Sequence, residues 1–249
     1  MKLIISTLSA VFVFVMAFTA CAKSSSAQES DSFTTHSGRQ ITITAIKHAS
    51  IRISFDGKEI EIDPVSSLKP VTNYAQFPKA DYILVTHDHY DHLDTTAINQ
   101  LRKASTVIVA NANSARLIRG ARMMHNGDHL QLQKHISVDA VPAYNITAGH
   151  TQYHPKGRDN GYILTLDDFR IYISGDTEDI PEMQQLKNID VAFLSTNQPF
   201  TMTPQQTVHA AKEIKPKVLF PYHYSDTPIH QVADLLKSTN IDVRIRNYQ

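Results

Sequence analysis

From Gln40 onward the chain alternates with a period of two. Ile41-Thr42-Ile43-Thr44 and Ile51-Arg52-Ile53-Ser54-Phe55 put apolar side chains on one face of an extended backbone and polar ones on the other. Glu59-Ile60-Glu61-Ile62 repeats the pattern after Asp56-Gly57, a pair suited to the corner of a tight hairpin. Beyond a proline-bearing loop, Tyr82-Ile83-Leu84-Val85 is apolar throughout, which predicts a strand covered on both faces. The period then changes: Ala97, Ile98 and Leu101 share one face of a helix expected over 95–103. A buried strand over 106–110 and a helix near 113–119 complete this half.

The second half has the same rhythm. Ile136 to Ala143 is strand-like, and strands over 161–166 and 170–174 flank an Asp167-Asp168 turn. Another strand follows over 189–194. Thr203-Pro204 supplies an N-cap and a first-turn proline to a helix with Val208, Ala211 and Ile214 on its inner face. A short strand over 217–220, a helix over 231–237 and a last strand over 242–246 end the chain. Strands lead and helices follow in each half, so the expected class is α/β, with two sheets packed together, helices outside, and one domain over 38–249.

The amino terminus departs from this pattern. Lys2 precedes an uncharged apolar run, Leu3 to Ala20, which predicts a signal peptide over 1–20 and export, with an uncleaved anchor as the alternative for a run of this length. Cys21, the sole cysteine, follows Phe18-Thr19-Ala20 and resembles a bacterial lipoprotein processing site, in which the cysteine becomes the acylated first mature residue. A non-periodic, serine-rich stretch over 21–37 reads as a flexible tether. The expectation is a domain of the bacterial cell envelope, anchored to a membrane by its amino-terminal lipid.

Composition changes the picture in one respect. Lys plus Arg equals Asp plus Glu at 24 each, which offers no basic surface for nucleic acid. Thirteen histidines stand against one cysteine and no tryptophan. Any metal site in the mature domain must therefore use imidazole and carboxylate.

Those groups concentrate in Thr86-His87-Asp88-His89-Tyr90-Asp91-His92-Leu93-Asp94, directly after the apolar strand. Alternation sends His87 and His89 to one side, and Asp91 and His92 follow as the chain turns toward a helix. Four such ligands within six residues suit zinc or a similar first-row divalent ion.

The His-x-His-x-Asp-His string after an apolar strand resembles the metallo-β-lactamase superfamily, and the resemblance extends from residue 40 onward. Ile62-Asp63-Pro64 looks like the segment before the metal loop. Gly175-Asp176-Thr177 looks like the place of the bridging aspartate, and Pro221-Tyr222-His223 like that of the last histidine. Pro142-Ala143-Tyr144-Asn145, His154-Pro155-Lys156-Gly157 and Gly161-Tyr162 are similar to a branch of metal-dependent hydrolases related to ascorbate-6-phosphate lactonase and, more distantly, to the phospholipase D acting on N-acyl phosphatidylethanolamines. The resemblance implies an αββα sandwich of two mixed sheets. It also implies two divalent ions, zinc with manganese or iron as alternatives. One would be held by His87, His89, His154 and Asp176, the other by Asp91, His92, Asp176 and His223. Asp91 and Asp176 would be the catalytic carboxylates. His150 competes with His154 for the middle histidine, and the His-Pro-Lys-Gly match favours His154.

Other residues stay open. Asp63 and Asp94 suit either carboxylates behind the ligand histidines or, respectively, a strand-ending turn and a helix cap. His48 fits the site mouth or a surface turn. Lys156 and Arg158 fit an anionic substrate or a solvated loop, Tyr144 and Tyr153 an oxyanion or the core, and Asn197 to Met202 a pocket wall. His36, His125, His129, His135, His209 and His230 have no partner spacing. The expected function is hydrolysis of a small-molecule or lipid ester, lactone or phosphoester by water activated between two ions. A nuclease, a β-lactamase and a non-catalytic binding lipoprotein are the alternatives.

Overall fold

The computed structural model describes residues 28–248. Seven strands form a first sheet in chain order: β1 (Ser30–Thr34), β2 (Gln40–Lys47), β3 (Ser50–Phe55), β4 (Lys58–Ile62), β5 (Tyr82–Val85), β6 (Val107–Ala110) and β7 (Arg122–Met123). β1 to β4 run antiparallel, and β4 to β7 parallel. The second sheet repeats that plan with β8 (His129–Gln133), β9 (Ile136–Ala143), β10 (Asp159–Leu166), β11 (Phe169–Ile173), β12 (Val191–Ser195), β13 (Val218–Tyr222) and β14 (Asp242–Val243). Its first four strands are antiparallel and its last four parallel. Among the described residues four α-helices accompany the sheets: α1 (Thr95–Leu101), α2 (Ala112–Leu117), α3 (Pro204–Ile214) and α4 (His230–Leu236). The molecule is an α/β sandwich of two mixed sheets.

The period-two pattern explains the layers. Tyr82 and Leu84 of β5 join the main core with Ile43, Ile53, Ile62, Leu164, Ile171 and Phe193. Their neighbours Ile83 and Val85 face the other way, into a separate cluster with Ala97, Ile98 and Leu101 of α1. The β3–β4 hairpin closes through Asp56 and Gly57, at φ 50° and 71°, the paired positive values that a two-residue turn of matching twist demands. Thr203 caps α3 in a reciprocal box with Gln206, and Pro204 occupies its first turn.

One expectation needs correction. The segment read as a tether over 21–37 contains β1, which pairs along its length with β2. Phe33 packs at a tilt against Phe169 with ring centres 5.4 Å apart, and Asp31 accepts hydrogen bonds from Arg244 (2.9 Å) and Arg246 (2.6 Å). The ordered domain therefore includes Ser30 rather than starting at 38. A polar edge strand needs only its backbone ladder and one or two inward side chains, so serine-rich composition concealed it. The signal peptide and Cys21 lie outside the described residues.

The strands β7 and β8 were not anticipated. β8 alternates between exposed and half-buried positions and carries His129 and two glutamines, so its apolar signal is weak. β14 is shorter than the strand expected over 242–246.

Candidate metal centre

The carboxyl ends of β4, β5, β11 and β13 converge on one edge of the sandwich, and each delivers a polar residue there. Asp63 follows β4, His87 follows β5, Asp176 follows β11 and His223 follows β13. Asp63, His223 and the nearby His48 have positive φ (42°, 52° and 51°), a conformation unfavourable for residues with a Cβ. Strain of this kind persists where the surroundings dictate a side-chain direction. Gly175 precedes Asp176 at φ 60°, and a Cβ there would come within 2.8 Å of the Asn160 carbonyl oxygen. Only glycine lets the β11 turn approach β10 so closely and aim Asp176 inward.

Two groups of ligand-type atoms result, each within 4.8 Å of one another: His87, His89, His154 and Asp176, and His48, Asp91, His92 and His223. Asp176 lies between them. Its Oδ1 is 3.2 Å from His92 Nε2, and its Oδ2 is 3.4 Å from both His154 Nε2 and His223 Nε2 and 3.9 Å from His87 Nε2. Asp91 Oδ2 is 3.5 Å from His223 Nε2 and 3.1 Å from His48 Nε2. All seven residues singled out for metal in the sequence are brought to this place.

The histidines are oriented from behind. Asp63 Oδ2 faces His92 Nδ1 at 2.8 Å and also accepts from the Thr86 hydroxyl, while its Oδ1 accepts from the Thr86 amide. Asp159 Oδ2 faces His154 Nδ1 at 3.1 Å, and Thr86 Oγ1 is 3.0 Å from His87 Nδ1. Each contact occupies Nδ1 and turns Nε2 into the site. Asp94 instead caps α1 through Thr96 and Ala97 and accepts from Ser66. His150 faces away, with Nδ1 on Glu178 Oε1 at 3.2 Å.

Of the two readings open for His48, the site mouth is the one the structure shows. Besides its contact with Asp91, its ring lies 3.8 Å from that of His223, and its carbonyl accepts from the His223 amide. Its neighbours Lys47, Ala49 and Ser50 carry no metal signal, so the sequence alone did not choose between the two. Asp159 was not singled out at all; its partner is set by the loop between β9 and β10. Tyr144 accepts from Lys156 and donates to Glu182, so neither the phenol nor the ammonium faces the centre.

The electrostatics fit a cation. Burial presses the His87 imidazole well below its ordinary pKa, and neighbouring His92 adds to the effect. Burial and then His154 lower His89. Both rings are therefore held neutral, with a lone pair to offer. Burial favours the protonated form of Asp176, but His223 and His92 outweigh it and keep the carboxyl well below the usual range. Asp91 is held down against burial by the neighbouring His223 imidazole and then by its contact with His48. His92 runs the other way: burial opposes its charge, yet Asp176 and Asp63 lift it well above the ordinary value. A buried site that stabilises a proton so strongly between carboxylates stabilises a metal cation there instead.

The beta-lactamase superfamily domain matches residues 42–223, from β2 to the last histidine of the centre. The chain belongs to the beta-lactamase superfamily. Curated relatives in this superfamily include a UPF0173 metal-dependent hydrolase of Caldivirga maquilingensis, 30% identical over 73% of this chain and 81% of the relative. Another, of Bacillus cereus, is 31% identical over 73% of this chain and 85% of its own. A crystal structure from Parabacteroides distasonis, assigned as a metal-dependent hydrolase, is 51% identical with a TM-score of 0.86, covering 89% of this chain and all (100%) of that one. The metallo hydrolase Igni18 of Ignicoccus hospitalis shares the superfamily fold at 23% identity and a TM-score of 0.69, over 83% of this chain and 95% of its own. The protein is a metal-dependent hydrolase of this superfamily.

The donor set agrees with that class. His87 Nε2, His92 Nε2, His223 Nε2 and Asp176 Oδ1 are buried and have no hydrogen-bond partner. Unpaired buried polar atoms are costly, on the order of 1–3 kcal/mol each, and these four point at common ground. Metal ions held in the two groups would satisfy them, His87 in one and His92 and His223 in the other.

Proposed function

We propose that the protein is an exported hydrolase that holds two divalent ions, zinc in preference to manganese or iron, and adds water to an ester, lactone or phosphoester. His87, His89 and His154 would hold one ion and Asp91, His92 and His223 the other, with Asp176 shared. The observation that supports this most is the position of Asp176, which directs Oδ1 toward His92 and Oδ2 toward His87, His154 and His223. When bound, the ions supply Lewis acidity to the substrate oxygen and acidity to a water molecule.

The chain's own residues supply the rest. Asp176 offsets the charge of two nearby cations, which would otherwise repel each other. Asp91, on the cleft side and fixed through Oδ2 by His48, is the acceptor for the proton that leaves the attacking water. Asp63 and Asp159 hold His92 and His154 in the tautomer that presents Nε2. Cys21, as a lipidated first residue, would keep the domain at a membrane of the cell envelope.

Elemental analysis of the purified mature protein tests this reading. The expected result is up to two divalent ions per chain. Asp176→Asn keeps the volume but removes the charge; both ions should be lost together and hydrolysis should fall by several powers of ten. His223→Ala should cost mainly one ion. An Asp176→Asn protein that keeps two ions and full activity would exclude the shared carboxylate.

A further inference from the structure

The site opens into a cleft of about 570 Å³ whose wall bears directly on substrate choice. Besides the metal-centre residues, it is lined by Asp88, Tyr90, Tyr153, Asn197, Phe200 and Ser225, and none of the lining residues is Lys or Arg. Arg158 donates twice to Asp159 and once to the Tyr153 carbonyl, and its Nη2 also lies 3.3 Å from His89 Nε2, so its charge stands beside the centre but is offset by Asp159. Lys156 is held by Tyr144 and Glu182. Beyond the reach of the ions, a phosphomonoester or a polyanion entering here would meet the carboxylates of Asp88 and Asp91, with no Lys or Arg in the lining and the nearby Arg158 charge already offset by Asp159.

The apolar side of the wall is built, not incidental. Phe200 is 42% exposed and packs edge-on against Tyr153, with ring centres 5.0 Å apart. Its carbonyl accepts from Asn145 Nδ2 at 2.8 Å, and the Asn145 amide donates to the carbonyl of His154 at 2.8 Å. The aromatic pair is thus tied by two hydrogen bonds to the backbone of a metal-centre histidine. Tyr90, 75% exposed, stands between His89 and Asp91 in the same cleft lining. Large exposed apolar side chains gathered beside a reactive centre mark a place where apolar ligand surface is removed from water.

We infer that the substrate is a neutral carboxylic ester or lactone carrying an apolar acyl or aryl group, which Phe200 and Tyr153 receive while the carbonyl meets the metal centre. This rests on the hydrolase reading above and narrows it. The water oxygen bonds to the acyl carbon, the bond from that carbon to the alkoxy oxygen breaks, and a proton from the water passes to the departing oxygen. The products are a carboxylic acid and an alcohol, or the hydroxy acid of an opened lactone.

The test uses metal-loaded full-length mature protein and p-nitrophenyl esters from acetyl to hexanoyl, beside bis(p-nitrophenyl) phosphate and p-nitrophenyl phosphate. With the leaving group constant, kcat/KM should rise roughly fourfold for each methylene buried against the aromatic pair. Phe200→Ala should flatten that rise, Phe200→Leu should restore part of it, and Leu235→Ala, an exposed apolar site on α4, should keep it. Calorimetric titration with hexanamide against acetamide gives a binding readout independent of turnover, with hexanamide preferred only while Phe200 is present. Failure to hydrolyse any of these compounds would strike at the hydrolase reading itself. Ester hydrolysis indifferent to chain length and to Phe200, or faster turnover of either phosphate, would overturn this inference alone.

Discussion

Asp63 Oδ2 lies 2.8 Å from His92 Nδ1, and both side chains are fully closed off from water. A carboxylate in that position fixes the imidazole's tautomer and strengthens Nε2 as a donor, so its influence reaches the metal without touching it. Asp63→Asn keeps the shape and removes the charge. Metal affinity should fall about ten- to a hundredfold, read by competition with a chromogenic chelator. Unchanged affinity would show that the Thr86 contacts alone suffice to hold this corner.

The middle histidine separates by direction. His154 Nε2 points to Asp176 at 3.4 Å, whereas His150 Nδ1 is paired with Glu178. His154→Ala should therefore deplete bound metal far more than His150→Ala, by elemental analysis of equally purified variants. The reverse order would mean that the loop after β9 turns the other histidine inward.

Glu61 of β4 concerns stability rather than chemistry. It is wholly buried, neither oxygen has a hydrogen-bond partner, and Arg52 Nε is 4.0 Å away. Burial outweighs Arg52 and raises the carboxyl from 4.5 to about 8. The folded state therefore holds this proton more tightly than the unfolded chain, and stability falls as pH rises from 4.5 toward 8. Glu61→Gln removes that penalty. Thermal unfolding of the metal-free protein, followed by circular dichroism, should show the variant several degrees more stable at alkaline pH, with the gap closing in acid. A gap independent of pH would show that Glu61 does not titrate in this range.

The proposed membrane anchor is decided by the mature amino terminus. Mass spectrometry should find Cys21 as the first residue, carrying a lipid. A start beyond Cys21 without lipid would indicate ordinary secretion.

The sequence alone revealed those features whose cause is local. Alternation marked β2 to β4, a continuous apolar run marked β5, Asp56-Gly57 marked a turn that needs two positive φ values, and Thr203-Pro204 marked the start of α3. The cluster from His87 to His92 stood out because its donors are neighbours in the chain. His223 and Asp176 became visible only through family resemblance, since each is a single residue after an apolar strand.

The tertiary structure decided what depends on distant partners. β1 was hidden because its order comes from the ladder with β2 and from Arg244 and Arg246 some 200 residues away. Asp159 is an ordinary residue in the sequence and His48 fitted two places there; only the sandwich sets one behind His154 and the other between Asp91 and His223. Likewise, the choice between Asp94 as a helix cap and Asp63 as the support of His92 was a matter of which strand end faces the cleft. Sequence periodicity reports which face of an element is buried; it does not report what the buried face meets, because that is set by the packing of one sheet on the other.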